Sequence, residues 1–299
     1  MLINLLLTIL LLNPVQDVYL NHKPVFDVQE FEKAASPERI NLDNIGVEVT
    51  ADSFVAIDVA SGALLIEKNV NQTQAIASIT KLMTALVILE QEPDWQQPVE
   101  LKIIDETYGA QPHIYRGEEV RFIDLWKSAL VASDNNSIKA MIRALGFSEQ
   151  EFLEKMNQKA LELEMYHSEF ADPTGLDENN LSNSVDVARL LYAALQKNEI
   201  REAVIQGKYV FDITNSNRTR TIYNTDILID SFLNSSKYGY ELIGGKTGYL
   251  PQAGYCLSTS IKKDNHEVII VVLNSSTIES RFQDVKVIAD WVFSNYNWQ

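Results

Sequence analysis

The stretch from Ala75 to Leu89 (AIASITKLMTALVIL) is apolar or small and uncharged at every position except Lys81, and a segment apolar all round predicts a buried helix. Other stretches alternate instead. Ser53 to Val59 reads as a strand that meets Leu64 to Lys68 across Ser61-Gly62 as a hairpin, and Gly254 to Ile261 with Glu267 to Leu273 reads as a second hairpin. Helical periods lie between them: Val120 to Ala132, Asn136 to Leu145, a helix opened by the capping box Ser148-Glu-Gln-Glu151 that runs to about Leu163, and Ser184 to Lys197. Ser280 to Asn295 reads as a closing helix. Strands towards both ends and a helical middle predict an α+β fold, an α/β sandwich in which an antiparallel sheet lies beside a helical cluster. No internal repeat is visible.

The amino-terminal pattern is different. Leu2 to Leu12 is an apolar run interrupted only by Asn4 and Thr8, the length of a signal-peptide core and short of the ~20 residues of a spanning helix. No Lys or Arg precedes Lys23, and no Ala-x-Ala-like cleavage site follows. Residues 1–12 are therefore expected to act as an export signal or anchor, and any membrane attachment is expected to run through them. Residues 13–44, polar and carrying Pro14, Pro24 and Pro37, read as a linker, and residues 45–299 as one catalytic domain. The chain ends soon after the closing helix, with no further carboxy-terminal domain expected.

Lys81 is the anomaly from which the chemistry follows. A lysine in the first turn of a dry helix opposes both burial and the macrodipole, and both effects favour the neutral amine. Ser78 lies three residues earlier on the same helix face, so the amine reaches its hydroxyl and can serve as its general base. The helix start also offers backbone N–H groups to a developing oxyanion. Without this chemistry, Ser78 would be a cap on a core helix. Ser260-Ile-Lys-Lys263 repeats the Ser-x-x-Lys spacing, but in an alternating run that ends in the charged turn Lys262-Lys263-Asp264-Asn265. A strand gives no such approach, so only the first copy is expected to react.

Two further motifs supply complementary parts. Ser133-Asp134-Asn135 falls in a tight helix-to-helix connection, where turn and capping propensity alone would explain it. Paired with Ser78, its Ser133 would relay protons between the lysines and a leaving group, while the Asn135 amide would bind substrate backbone. Glu241 to Tyr249 (ELIGGKTGY) is strand-like with three glycines, the composition of an edge against which another backbone must come close. Lys246 and Thr247 would there meet a terminal carboxylate, and the Tyr249 N–H would complete an oxyanion pair with that of Ser78.

Ser78-Ile-Thr-Lys81, Ser133-Asp134-Asn135 and Lys246-Thr247-Gly248, in that order, resemble the motif set of the penicillin-binding proteins and class A β-lactamases. Flanking segments sharpen the resemblance to the serine D-alanyl-D-alanine carboxypeptidases among the low-molecular-mass penicillin-binding proteins: Ala77 to Ala85, Asp172-Pro-Thr-Gly-Leu-Asp177, and Lys246 to Leu257. It covers roughly Val47 to the carboxy terminus. The resemblance implies the penicillin-binding-protein and β-lactamase-like transpeptidase fold. It implies Ser78 as the acylated nucleophile, Lys81 as its base, Ser133 and Asn135 as a second wall, and Lys246, Thr247 and Gly248 as a carboxylate-gripping strand. Arg281 resembles the family's downstream arginine that assists carboxylate recognition. The implied partners are peptidoglycan stem peptides and, as covalent inhibitors, β-lactam antibiotics; the implied location is extracytoplasmic.

Two departures from the family pattern widen the choice of activity. The family usually has glycine in the middle of the second motif and Asn-Asp-Ala-Ala after its serine and glycine, whereas here Asp134 fills the middle and Asn136-Ser137 follow. Aspartate there is more typical of class A β-lactamases, whose deacylating glutamate finds its nearest candidate in Glu169-Phe-Ala-Asp172. The same residues are compatible with a D,D-endopeptidase acting on cross-links and with a non-catalytic wall-binding homologue.

Composition bounds the rest. A chain of 299 residues with 46% hydrophobic content supports a full core. Lys+Arg 25 against Asp+Glu 41, a net charge of −16, argues against a nucleic-acid partner. The one cysteine, Cys256, excludes an internal disulfide and reads as a small core residue. His22, His113, His167 and His266 show no metal-ligand spacing, so neither a metal nor a cofactor is expected.

Overall fold

Alternation along two strands builds the centre of the molecule. In the computed structural model, which describes residues 34–40, 46–108 and 112–298, Ser53–Asp58 (β1) is buried along its whole length. Its side chains divide between two cores: Val55 and Ile57 enter one apolar cluster, Phe54 and Ala56 the other. A later strand, His266–Ser275, repeats the division, with Ile269, Val271 and Leu273 on one side and Val268, Ile270 and Val272 on the other. Residues of period two that are apolar on both faces belong to a sheet covered on both faces. Each such side chain contributes roughly 1.5–3 kcal/mol by leaving water.

The strands are β1, Leu64–Lys68 (β2), Tyr240–Leu250 (β3), Gly254–Lys263 (β4) and His266–Ser275 (β5), all antiparallel to their neighbours in the order β3-β4-β5-β1-β2. The helical middle covers one face. It comprises Lys81–Leu89 (α1), Phe122–Val131 (α2), Asn135–Ala144 (α3), Glu149–Glu162 (α4), Ser184–Leu195 (α5) and Asn198–Val204 (α6). Ser280–Asn295 (α7) covers the other, packing Phe282, Val285, Ile288, Ala289 and Val292 onto the sheet. Both expected hairpins and the expected helices are therefore present. The capping box at α4 is formed as expected, Ser148 N donating to Glu151 Oε2 (2.9 Å) and Glu151 N to Ser148 Oγ (3.3 Å).

Two features differ from the sequence expectation. The end of the segment read as linker is built into the domain: Glu38–Arg39 pairs with Tyr296–Asn297, Ile40 N donates to Asn295 O (2.9 Å), and the Arg39 guanidinium lies 5.2 Å over the Trp291 ring. Its polar composition hides a strand of two residues. A hairpin of Lys208–Asp212 with Thr219–Tyr223 was not anticipated either; most of its side chains face solvent, so it lacks a long apolar alternation. The expected signal or anchor, residues 1–12, lies outside the described residues, as does the linker up to residue 33. Among the described residues no helix is long and apolar enough to cross a membrane.

Candidate active site

The turn that delivers Ser78 is tighter than an ordinary helix start. Ala77–Thr80 is a 3-10 turn running into α1, and Ala77 adopts a positive φ of 48°. A non-glycine residue in that region stores strain that its surroundings must hold. Two glycines let the surroundings approach. A side chain at Gly248 on β3 would meet Ile76 O at 2.7 Å, and one at Gly175 would meet Ala77 O at 2.2 Å. The Ser78 N–H is thus enclosed between the Lys-Thr-Gly strand and the Asp172-Pro-Thr-Gly loop. The Ser78 side chain caps nothing.

Lys81 begins α1 and is fully buried. Its Nζ lies 2.9 Å from Ser78 Oγ, 2.5 Å from Asn135 Oδ1 and 2.6 Å from the Thr174 carbonyl oxygen. Two of these partners only accept, and a neutral amine has two protons to give them. Its lone pair is then left for the one partner that can donate, the Ser78 hydroxyl. Burial lowers the Lys81 pKa to about 7, against the opposing pull of Asp172 and Asp134.

The loop after Phe170 exists to present the Thr174 carbonyl. Asp172 accepts from Gly175 N (2.9 Å), Thr174 N (3.0 Å) and Asp177 N (3.2 Å), and Thr84 Oγ1 on α1 fastens Pro173 O (2.6 Å). Sequence reading singled out this loop through resemblance but gave Thr174 no part. Its contribution is a backbone carbonyl, which no side-chain pattern reveals.

The opposite wall is the turn between α2 and α3. Ser133 adopts a positive φ of 60°, and its Oγ accepts from Lys246 Nζ at 2.9 Å. The two departures in this motif have structural work. Asp134 caps α3 by accepting from Ser137 N (2.7 Å) and takes His113 N (2.5 Å); Asn136 Oδ1 takes both Thr107 N and Thr107 Oγ1 at 2.9 Å. They tie residues 107 and 113 to the turn. Glu169, the candidate deacylating carboxylate of a β-lactamase, is exposed and lies on a backbone bridge to Leu181.

β3 is the edge of the sheet and forms the third side. Lys246 is buried, and burial with the nearby charges of Lys81 and Arg281 pushes its pKa well below the usual range, while Asp226 opposes them. Thr247 Oγ1 is 2.7 Å from Thr225 Oγ1. Arg281 at the start of α7 donates Nη1 to Gly248 O (3.1 Å), with its guanidinium 5.7 Å over the Tyr255 ring. Tyr249 stacks on Tyr255 at 4.4 Å and is half exposed at the mouth of the cleft. Ser78, Lys81, Ser133, Asn135, Lys246 and Gly248 thus gather around the nucleophile, while Thr247, Tyr249 and Arg281 adjoin them along β3 and at the start of α7. Thr225 and Asp226, in a run that reads as an ordinary turn, were missed. The second Ser-x-x-Lys copy is dispersed: Ser260 Oγ donates to Glu267 Oε1 (2.6 Å), while Lys263 lies 4.5 Å over the Tyr240 ring. Among the described residues no group of three or more His, Cys, Asp or Glu is placed to hold a metal ion.

A serine beside a buried amine whose pKa is lowered to about 7, enclosed by strained turns and a glycine-bearing edge strand, is equipped for covalent acyl transfer. This fold and these residues are those of a serine-type acyl-transfer site. The chain belongs to the D-alanyl-D-alanine carboxypeptidase family, whose model matches residues 35–277. The D-alanyl-D-alanine carboxypeptidase DacF of Bacillus subtilis (strain 168) is 34% identical over 82% of this chain, which spans 63% of that protein's length. A D-alanyl-D-alanine endopeptidase of Haemophilus influenzae is 31% identical over 79% of this chain and 80% of its own. The Streptomyces K15 DD-transpeptidase has the same fold, with a TM-score of 0.76 and 25% identity over 84% of this chain and all of its own (100%). The expected fold class and family are both borne out.

Proposed function

We propose that the protein hydrolyses the bond between the last two D-alanines of peptidoglycan stem peptides through an acyl-enzyme on Ser78. The carrying observation is the triple contact of Lys81, in which two acceptors use the amine's protons and leave its lone pair for the Ser78 hydroxyl. The stem peptide lies along the edge of β3 as an added strand. Lys246, Thr247 and Arg281 attract its terminal carboxylate, and the Asn135 amide, whose oxygen is used by Lys81, turns its Nδ2 to the peptide. Lys81 takes the Ser78 proton as Oγ attacks the carbonyl carbon. The oxyanion is held by the Ser78 and Tyr249 N–H groups, and the terminal D-alanine leaves as its nitrogen receives a proton through Ser133. Water then releases the shortened peptide and restores Ser78. A β-lactam, opened by the same attack, remains on the serine as a covalent inhibitor. The work is done on the extracytoplasmic side, where such peptides are exposed, with residues 1–12 as the export signal or anchor.

A second reading has its own support. A relative named as an endopeptidase is 31% identical over 79% of this chain. Cross-link cleavage uses the same attack with a longer leaving group.

The deciding experiment measures free D-alanine from a pentapeptide ending in D-Ala-D-Ala, with wild type and Ser78→Ala side by side. Release by wild type alone is expected. Absence of release together with cleavage of cross-linked dimers would replace the first reading by the second; covalent penicillin labelling of Ser78→Ala would overturn both.

A further inference from the structure

Asp226 is a buried carboxylate that the chemistry above does not use. It follows Thr225, whose hydroxyl meets Thr247, and it lies beneath the edge of β3: a side chain at Gly245 would come within 3.1 Å of its Oδ2. Its Oδ1 accepts from Leu228 N (2.9 Å), whereas Oδ2 has no hydrogen-bond partner. An unpaired carboxylate oxygen in a buried position is costly and calls for a cause. The opposite orphan stands at the same edge. Arg281 uses Nη1 on Gly248 O, and its buried Nε has no partner.

The faces of the sheet show how these groups are arranged. Thr247 pairs with Leu257, which belongs to the core beneath α7, so Thr247 and Gly245 face α7 while Lys246 faces Ser133. Asp226 and Arg281 therefore occupy the side of β3 away from the nucleophile. The charges acting on Asp226 are Arg281 from α7 and Lys246 from β3. Arg281 in turn faces Tyr255 and Cys256 on β4 and Glu279, and Lys246 faces Lys81 on α1. Asp226 is thus a carboxylate whose charge acts on both Lys246 and Arg281, although it forms an ion pair with neither.

We infer that Asp226 is a positioning residue for carboxylate recognition, its charge behind β3 favouring the cationic forms of Lys246 and Arg281 without contact to either. It touches no substrate. This rests on the proposed reaction, because the carboxylate gripped is that of the terminal D-alanine. One short segment thus touches Thr247 through Thr225 and acts on the two cations through the charge of Asp226. Burial, only partly offset by Leu228 N–H and the two cations, raises the Asp226 pKa to about 6. Acid below that pH removes its charge.

The test is Asp226→Asn, which keeps the volume and the acceptor for Leu228 N and removes the charge. At pH 8, KM for the D-Ala-D-Ala pentapeptide is expected to rise about tenfold with kcat nearly unchanged, the effect of about one unit of proton affinity. The ratio of variant to wild-type KM should fall towards one at pH 5, where wild-type Asp226 is itself neutral. A pentapeptide amidated at its carboxy terminus should show the same KM in both proteins. A ratio constant with pH, or an equal loss on the amidated peptide, would overturn the inference in favour of a purely structural role. If wild type released no D-alanine, the proposed reaction would fall, and the charge would still be read from thermal melting. A raised folded-state pKa means stability present below the unfolded value and lost as pH rises through about 6. The variant should therefore melt higher than wild type at pH 7, with the gap closing towards pH 4; a gap independent of pH, or of opposite sign, would exclude a buried ionised Asp226.

Discussion

Two copies of Ser-x-x-Lys occur in this chain, and their structures have nothing in common. At Ser78 the spacing spans a tight turn entering α1, so hydroxyl and amine meet at 2.9 Å. At Ser260 it spans β4, where residues three apart point to opposite faces, and each side chain finds its own partner. Spacing acquires chemical meaning only through the period of the backbone that carries it. Burial separates the copies as well: Lys81 is wholly enclosed, while the Lys263 stem lies along Tyr240 with its amine reaching the Tyr240 hydroxyl at 3.3 Å.

The comparison is broken most directly at the two serines. Ser78→Ala is expected to lower D-alanine release by about 10⁴-fold or more and to abolish acylation by penicillin, as measured by intact mass. Ser260→Ala should acylate at the wild-type rate. Label on the Ser78 variant would sink the distinction between the two sites.

Next in size is the enclosure that makes the first copy reactive. Gly248→Ala brings a methyl group against Ile76 O at 2.7 Å, so β3 and the Ser78 turn must separate. Overpacking of this kind costs about 1–3 kcal/mol, and a misplacement near 1 Å costs about 100-fold in rate. Acylation kinetics and a thermal melt read both quantities; a variant as fast as wild type would show that the close approach has no catalytic value.

Smaller again is the titration of Lys81. The base must be neutral, and its pKa is lowered to about 7 by burial against the pull of Asp172 and Asp134. The acylation rate should therefore fall about tenfold per pH unit below 7 and level off above it. Asp134→Asn removes one charge that favours the ammonium while still accepting at the α3 cap, so the limb should move to lower pH by less than about one unit. A limb that moved upward would mean that Asp134 acts on the site through the loop it ties at His113 rather than through its charge.

Much of this was legible in the sequence because the informative residues break a local rule. Lys81 is a cation in an otherwise apolar helix, Gly248 weakens the strand it belongs to, and the spacings of the three motifs are those of the finished cleft. The alternating strands and capped helices were readable for the same reason that they are stable, since local pattern and global packing agree. What escaped was whatever acts without a distinctive side chain or period. Thr174 contributes a carbonyl held by loop hydrogen bonds, and Asp226 sits in a polar run that any turn could contain. Glu38–Arg39 becomes a strand only because Tyr296–Asn297 lies beside it. Asp134 and Asn136 looked like departures from a family pattern, and their use in anchoring residues 107 and 113 depends on a contact that sequence order does not show.

The finest distinction between the two copies is one of coupling. Ser260→Ala removes a hydrogen bond to Glu267, a half-buried carboxylate that water reaches, and should cost about 1 kcal/mol of stability. Lys263→Ala removes a cation from above Tyr240 and should cost about 0.5–1 kcal/mol. The two side chains share no partner, so the double variant should lose the sum to within about 0.5 kcal/mol, measured by denaturant titration. Ser78 and Lys81 should behave in the opposite way when acylation is the readout. Either substitution alone removes the attack, so the pair should cost hardly more than Ser78→Ala by itself. Additive losses at Ser78 and Lys81 would mean that the amine acts independently of the hydroxyl 2.9 Å away, and the assignment of Lys81 as base would fail.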